Sequence, residues 1–513
     1  MSNNFTNAVR NQTKMKYTEN GAVAMNTTGS KVLDLFSLAG GMRGRLNDVQ
    51  DMFANAWNEN PELAIKLAFY TRSIRGQGMG ERDVSYEMLK WVANNHPDTM
   101  RKNLKYLPEY GRWDDIYIFV GTPIEGDIWK LVKSQFEADI ANYKAGKPVS
   151  LMAKWLPSVN TSSRKTVNLG HMTARHLGLK AYAYQKALSK LRKYINVTEV
   201  KMSARQWNNI DYQAVPSKAM TLYRHSFTKH DPEGFGEFMN GVKTGTKKIN
   251  ASTLYPYDLV GKYMSSRSIR SAWNSSYYNC QTNQNEIDEV VEAQWKALPN
   301  YIEGNNNVVI MADTSGSMSG KPIESALGLA IYFAERNHGA YHNLFMTFES
   351  NPHWIELGDN SLLGNVRKAV AAPWGGSTNL ESAFRLILKT AVENHLSNDD
   401  LPKALIIISD FEFDPHSGSR SYGWGNSLNG ANTYHAAMTK LYAKYGYTLP
   451  ACVFWCVNSR QNTVHQNYND KGVTAFSGSA ASTFRDVLQT IGYNPYEAML
   501  KVLMSANFAK ITV

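Results

Sequence analysis

The chain has little cysteine, little charge and no long apolar run. Three of its 513 residues are cysteine and 19% are charged. Cys280, Cys452 and Cys456 are too few for a disulfide framework. Cys452 and Cys456 share one face of an expected strand with Phe454, which reads as a reduced core. No apolar run reaches the roughly 18 residues that span a bilayer, and Met1 to Arg10 holds no apolar signal segment. The expected protein is soluble and cytoplasmic, or virion-borne if a phage encodes it.

The familiar catalytic motifs are also missing. There is no Gly-x-Ser-x-Gly elbow, no His-Glu-x-x-His helix and no paired-cysteine metal pattern. Gly76-Gln-Gly-Met-Gly80 follows an expected helix and has its third glycine at the wrong spacing for a dinucleotide loop. Gly316-Ser-Met-Ser-Gly-Lys-Pro322 misses a phosphate-binding loop by one residue and has proline where a hydroxyl must meet the metal. His225, His230, His342 and His353 are isolated, so no general base is evident. The expectation is a binding protein and not an enzyme.

What is present is an ordered composition with a positive balance. Apolar residues make up 43% and the formal net charge is +11, which favours an anionic partner, nucleic acid first. The length is too great for one hydrophobic core and predicts two or three domains. After an N-terminal arm, 1–30, helical patterns run through 31–299. Among them are Pro61 to Tyr70, Val84 to Asn95, Asp127 to Tyr143, Lys165 to Leu177, Ala181 to Ile195 and Pro216 to Lys229. Short connections predict an all-helical, HEAT-like curved or ring-shaped array. A Pro-, Gly- and Asn-rich linker closes it, and strands then alternate with helices through 305–513, the pattern of a doubly wound α/β domain.

The second region is organised around Val308-Val-Ile-Met-Ala-Asp-Thr-Ser-Gly-Ser-Met318, an apolar strand that runs into an Asp-x-Ser-x-Ser turn. Such strand ends are where open α/β sheets bind ligands. Asp313, Ser315 and Ser317 offer hard oxygens, Thr378 adds a hydroxyl in a Gly-Gly-Ser-Thr loop, and Ala404 to Asp410 ends in a second carboxylate. An all-oxygen set favours Mg²⁺, or another divalent cation such as Ca²⁺ or Mn²⁺. The first region carries a basic stretch from Asn160 to Arg205. Arg164, Lys165, Arg175, Lys180, Lys186, Lys190, Arg192, Lys193, Lys201 and Arg205 stand there against one acid, Glu199. Such imbalance fits phosphate binding, and His176, Tyr182 and Tyr184 either stack on unpaired bases or pack.

These oxygens resemble the metal-ion-dependent adhesion site of von Willebrand factor A domains, over about the last two hundred residues. Asp313, Ser315, Ser317, Thr378 and Asp410 fall on the five family positions in order. One departure is Phe411, where many members have glycine, and it leaves Glu412 or Asp414 as a competing ligand. Leu67 to Asp83, Leu151 to Ser158 and Trp207 to Ser217 resemble a family that joins a helical region to such a domain. The order of the two regions is similar to the TROVE module of the Ro autoantigen family, whose helices bind small structured RNA on a basic surface and single-stranded ends through a ring. This resemblance implies an RNA-binding protein whose Mg²⁺ site takes an acidic protein ligand. The alternative is a protein-interaction or virion component without specific RNA binding.

Overall fold

In a computed structural model, residues 15–264, 286–302, 304, 307–348, 351–372, 379–414 and 434–513 are described. The expected architecture is present: a helical N-terminal region followed by an α/β domain with a six-stranded sheet. Most expected helices lie within a few residues of their predicted bounds. Pro61–Arg72 starts with proline at its first turn and an Asn60 cap that accepts from the Leu63 N–H, so the Asn-Pro pair defines the helix start. Helices Lys31–Leu38, Leu46–Glu59, Pro232–Lys243 and Pro256–Tyr263 add to those anticipated. The helices pack on near neighbours in sequence, as in a stacked array.

The N-terminal arm contains a hairpin that the sequence did not reveal, with β1 (Met15–Tyr17) antiparallel to β2 (Val23–Met25). Three-residue strands are too short to show an alternation. The other expected difference is at the C-terminus. The helical pattern over 483–503 is broken into two helices, Thr483–Leu488 and Pro495–Leu503, because Asn494 caps a new helix that begins at Pro495.

The large sheet contains β3 (Val308–Asp313), β4 (Leu344–Phe348), β5 (Trp354–Glu356), β6 (Ala404–Ser409), β7 (Ala451–Cys456) and β8 (Val473–Ser477). Its order is β5-β4-β3-β6-β7-β8, parallel except for β5 at one edge. Strands β3 and β6 are buried along their whole lengths, which is why both read as unbroken apolar runs. The chain moves from β3 to β4 on one side and returns to β6 on the other. The order therefore reverses between β3 and β6, where such sheets open a crevice at their carboxyl ends.

One continuous apolar core joins the helices to the sheet. Phe36 packs against Tyr70 and Phe476, and the Tyr110 ring stacks on Phe508 at 5.4 Å. A smaller core lies around Tyr212, Phe227, Phe235 and Phe238. One glycine permits the close approach between the regions, and another the tight return of the 76–80 segment onto its own helix. A Cβ on Gly40 would lie 2.1 Å from the Gly478 nitrogen, and one on Gly78 would lie 2.1 Å from the Tyr70 carbonyl oxygen. The glycine-rich 76–80 segment thus serves as a wedge: Arg485 donates to the Gly76 carbonyl at 2.8 Å and Ser482 to that of Gly78 at 3.3 Å. Gly40→Ala is expected to lower unfolding free energy by about 2 kcal/mol or more, since backbone is what must move. Gly44→Ala, with nothing within 4 Å, should leave the urea midpoint nearly unchanged; equal midpoints for the two variants would contradict this packing.

Candidate cation site and basic face

The parallel register pairs Ala312 with Ile408, so the next residues, Asp313 and Ser409, end neighbouring strands side by side. Ser409 donates its hydroxyl to Asp313 Oδ2 at 2.6 Å, and the Ser315 N–H donates to Oδ1 at 2.9 Å. Asp410 follows on the same strand end, with Oδ1 accepting from the Glu412 N–H at 3.2 Å. Its Oδ2 is buried without a hydrogen-bond partner among the described residues. The Ser315 and Ser317 hydroxyls lie 3.1 Å apart at the mouth of this group. Four of the five expected ligand residues, Asp313, Ser315, Ser317 and Asp410, are therefore gathered at one switch point. Thr378 lies outside the described residues.

Both carboxylates are held above their ordinary pKa. Burial is the main cause at each, and the Asp410 charge adds to it at Asp313, while the Ser315 and Ser409 hydrogen bonds oppose it. A cation is the ligand that would relieve both effects, and the donor set is entirely oxygen, so the residues fit a hard divalent ion. Glu412 is not turned to this group. Its carboxylate accepts from the Glu19 N–H at 2.7 Å and the Thr463 hydroxyl at 2.9 Å. Ser409, which the sequence reading passed over, orients Asp313; its position between an apolar strand and Asp410 was the available signal.

Among the described residues there is no cluster of three His, Cys, Asp or Glu. Cys452 and Cys456 are buried and free, and burial pushes both thiols up. Cys280 lies outside the described residues. His465 is buried, which lowers it to about 4, and it donates Nε2 to the Phe411 carbonyl at 2.8 Å. That is the role of a neutral, structural histidine.

The basic stretch occupies helices Arg164–His176, Ala181–Tyr194 and Thr198–Ser203. Arg164, Lys165, Arg175, Lys180, Lys186, Lys190, Lys193 and Arg205 are exposed, and none of them forms an ion pair among the described residues. Tyr182 is 77% exposed, with Lys186 Nζ 5.9 Å from its ring centre. Three other residues of the stretch are held by the protein's own carbonyls. Arg192 donates to the Ala153 and Leu156 carbonyls and to Ser158 Oγ, Lys201 bonds the Asn209 carbonyl, and Tyr184 is buried with its hydroxyl on the Pro157 carbonyl. Main-chain carbonyls thus take the Arg192 and Lys201 donors that composition alone assigned to phosphates, and Tyr184 takes the packing alternative. His176 has one ring face against Trp129 at 4.2 Å.

A helical array whose basic face is exposed, followed by an α/β domain with paired carboxylates at its switch point, is the class that fold and site define. The family model for the domain of unknown function DUF2828 matches residues 18–139 and 128–307, more than half of the chain, and the chain belongs to that family. A second model, the domain of unknown function DUF7788, matches residues 307–505. A mimivirus protein, "Uncharacterized protein L728" of Acanthamoeba polyphaga mimivirus, is 28% identical over 533 residues, which cover 95% of this chain and 87% of that protein. The crystal structure of the Deinococcus radiodurans RO (RSR) protein is similar at a TM-score of 0.41 and 13% identity, over 93% of this chain and 99% of that one. No helix among the described residues is long and apolar enough to cross a membrane.

The carboxylate pair gives the cation-free chain a definite pH response. An Asp313 pKa raised on folding means that ionisation is disfavoured in the folded state. Stability is then full below the unfolded value near 4 and is lost as pH rises through the higher folded value. In chelator, the urea midpoint of the wild type should fall between pH 5 and pH 8, and that of Asp313→Asn should fall less. Equal slopes would contradict the burial and charge described.

Proposed function

We propose that the chain is a Ro-like RNA-binding protein whose α/β domain carries a von Willebrand A type adhesion site for Mg²⁺ or a similar divalent cation. The observation that carries this reading is the set of exposed cations on two successive helices and the turn between them, Arg164, Lys165, Arg175, Lys180, Lys186, Lys190 and Lys193, with no acid paired to them among the described residues. Like charges on one surface repel, and phosphates neutralise them while releasing counterions. Tyr182 beside Lys186 adds a ring on which an unpaired base can stack.

The cation site supports the second half. Asp313, Ser315, Ser317 and Asp410 would hold the ion, with Thr378 as the remaining family position. Two carboxylates and a few hydroxyls leave a coordination position that an acidic partner segment completes. The chain's own part is to fix Asp313 through Ser409 and Ser315 and to keep the carboxylates dry. The reading is of binding chemistry and not turnover: both carboxylates are assigned to the ion, and among the described residues no third His, Cys, Asp or Glu clusters with them.

Replacing Lys186, Lys190 and Lys193 with Glu should weaken binding of a small structured RNA and make the dependence of log affinity on log salt shallower. An unchanged slope in a folded variant would move the contacts elsewhere. Asp313→Ala should abolish cation-dependent capture of an acidic peptide and leave RNA affinity nearly intact. Recovery from the native source of a single protein partner that resists nuclease, with no stoichiometric RNA, would favour the protein-interaction reading.

A further inference from the structure

Phe411, next to the Asp410 carboxylate, has φ of +70°. This is a left-handed conformation that is unfavourable for a bulky side chain and persists only where surroundings enforce it. The surroundings here are specific. Three successive carbonyls, those of Phe411, Glu412 and Phe413, each accept from a side chain distant in sequence: His465 Nε2 at 2.8 Å, Asn20 Nδ2 at 2.6 Å and Thr18 Oγ1 at 2.6 Å. The Glu412 carboxylate accepts the Glu19 N–H. Two of the three donors and that N–H belong to the turn of the N-terminal hairpin.

The hairpin is itself tied to the segment after β7. Met25 and Val464 exchange both main-chain hydrogen bonds, at 2.9 and 3.0 Å. Arg460 pairs with Glu19 at 2.8 Å, and Lys16 donates to Gln461 at 3.1 Å. The Phe411 ring closes the arrangement from inside, packed with Phe413, Phe454 and His465. The backbone that leaves Asp410 is thus fixed from two sides, and its direction fixes where the carboxylate points.

We propose that the N-terminal hairpin is a clamp that positions the second carboxylate of the cation site, with Thr18 and Asn20 as its positioning residues. The clamp replaces the conformational freedom that glycine at position 411 would supply, and it makes cation affinity depend on a segment nearly four hundred residues away in sequence. This inference rests on the cation-site reading. Groups that orient a metal ligand change affinity by roughly ten- to a hundredfold when removed.

The test is Mn²⁺ titration by calorimetry of the full chain and of Thr18→Val with Asn20→Ala, together with amide exchange of 411–414 in chelator. The expected result is Mn²⁺ affinity weakened about tenfold or more, faster exchange at 411–414, and a global urea midpoint close to that of the wild type. Thr18→Ser, which keeps the donor, should bind as the wild type does. If the double variant does not fold, Asn20→Ala alone carries the same comparison. Wild-type affinity and unchanged exchange in the variant would overturn the clamp. If the wild type takes up no Mn²⁺, the cation-site reading fails, and exchange at 411–414 still decides whether the hairpin fixes this backbone.

Discussion

Two carboxylates buried side by side, at the ends of neighbouring parallel strands, are the constraint to which the rest of this structure answers. Asp313 and Asp410 are withdrawn from water and repel each other, and a carboxylate oxygen of Asp410 is left without a partner among the described residues. Such an arrangement disfavours the folded state whenever both groups are ionised. Its persistence requires a scaffold that over-determines it and makes sense where a cation is bound. The sheet supplies the scaffold: β3 and β6 are fully buried and fixed in register, and both emerge at the same edge.

That edge is also where the helical region meets the α/β domain. The turn at Gly40 and Gly41 lies against Ser477, Gly478 and Ser459, and the N-terminal hairpin lies against the 411–413 and 460–464 segments. Part of the helical region thus roofs the carboxyl ends of β6, β7 and β8. The C-terminal segment reciprocates, with Phe508 against Tyr70 and Tyr110 and Thr512 bonded to Asn103. A change at the cation site has a packed route to the helices, whereas the basic face sits on helices 164–194 in another part of the array.

Much of this was legible in the sequence because it is local. Continuous apolar runs that end in Asp or Ser-Asp gave both central strands and the position of the site, and the Asn-Pro start gave the Pro61 helix. What escaped was long-range or brief. The short hairpin strands carry no period, and nothing in the local sequence says that Thr18 and Asn20 meet Glu412 and Phe413. Phe411 was visible as a departure from glycine, but the side chains that hold its backbone are dispersed from Thr18 to His465. Counting charge located the basic face and overcounted it, because Arg192 and Lys201 serve main-chain carbonyls that composition cannot show.

In the proposed function, Asp313 and Asp410 share one hard cation. The most direct measurement is the anomalous scattering of Mn²⁺ in a crystal of the full chain grown or soaked with the ion. A single strong peak is expected beyond the carboxyl ends of β3 and β6, between Asp313 and Asp410 and beside the Ser315 and Ser317 hydroxyls. An absence of Mn²⁺ there at saturating concentration, with the two carboxylates placed as described, would contradict it.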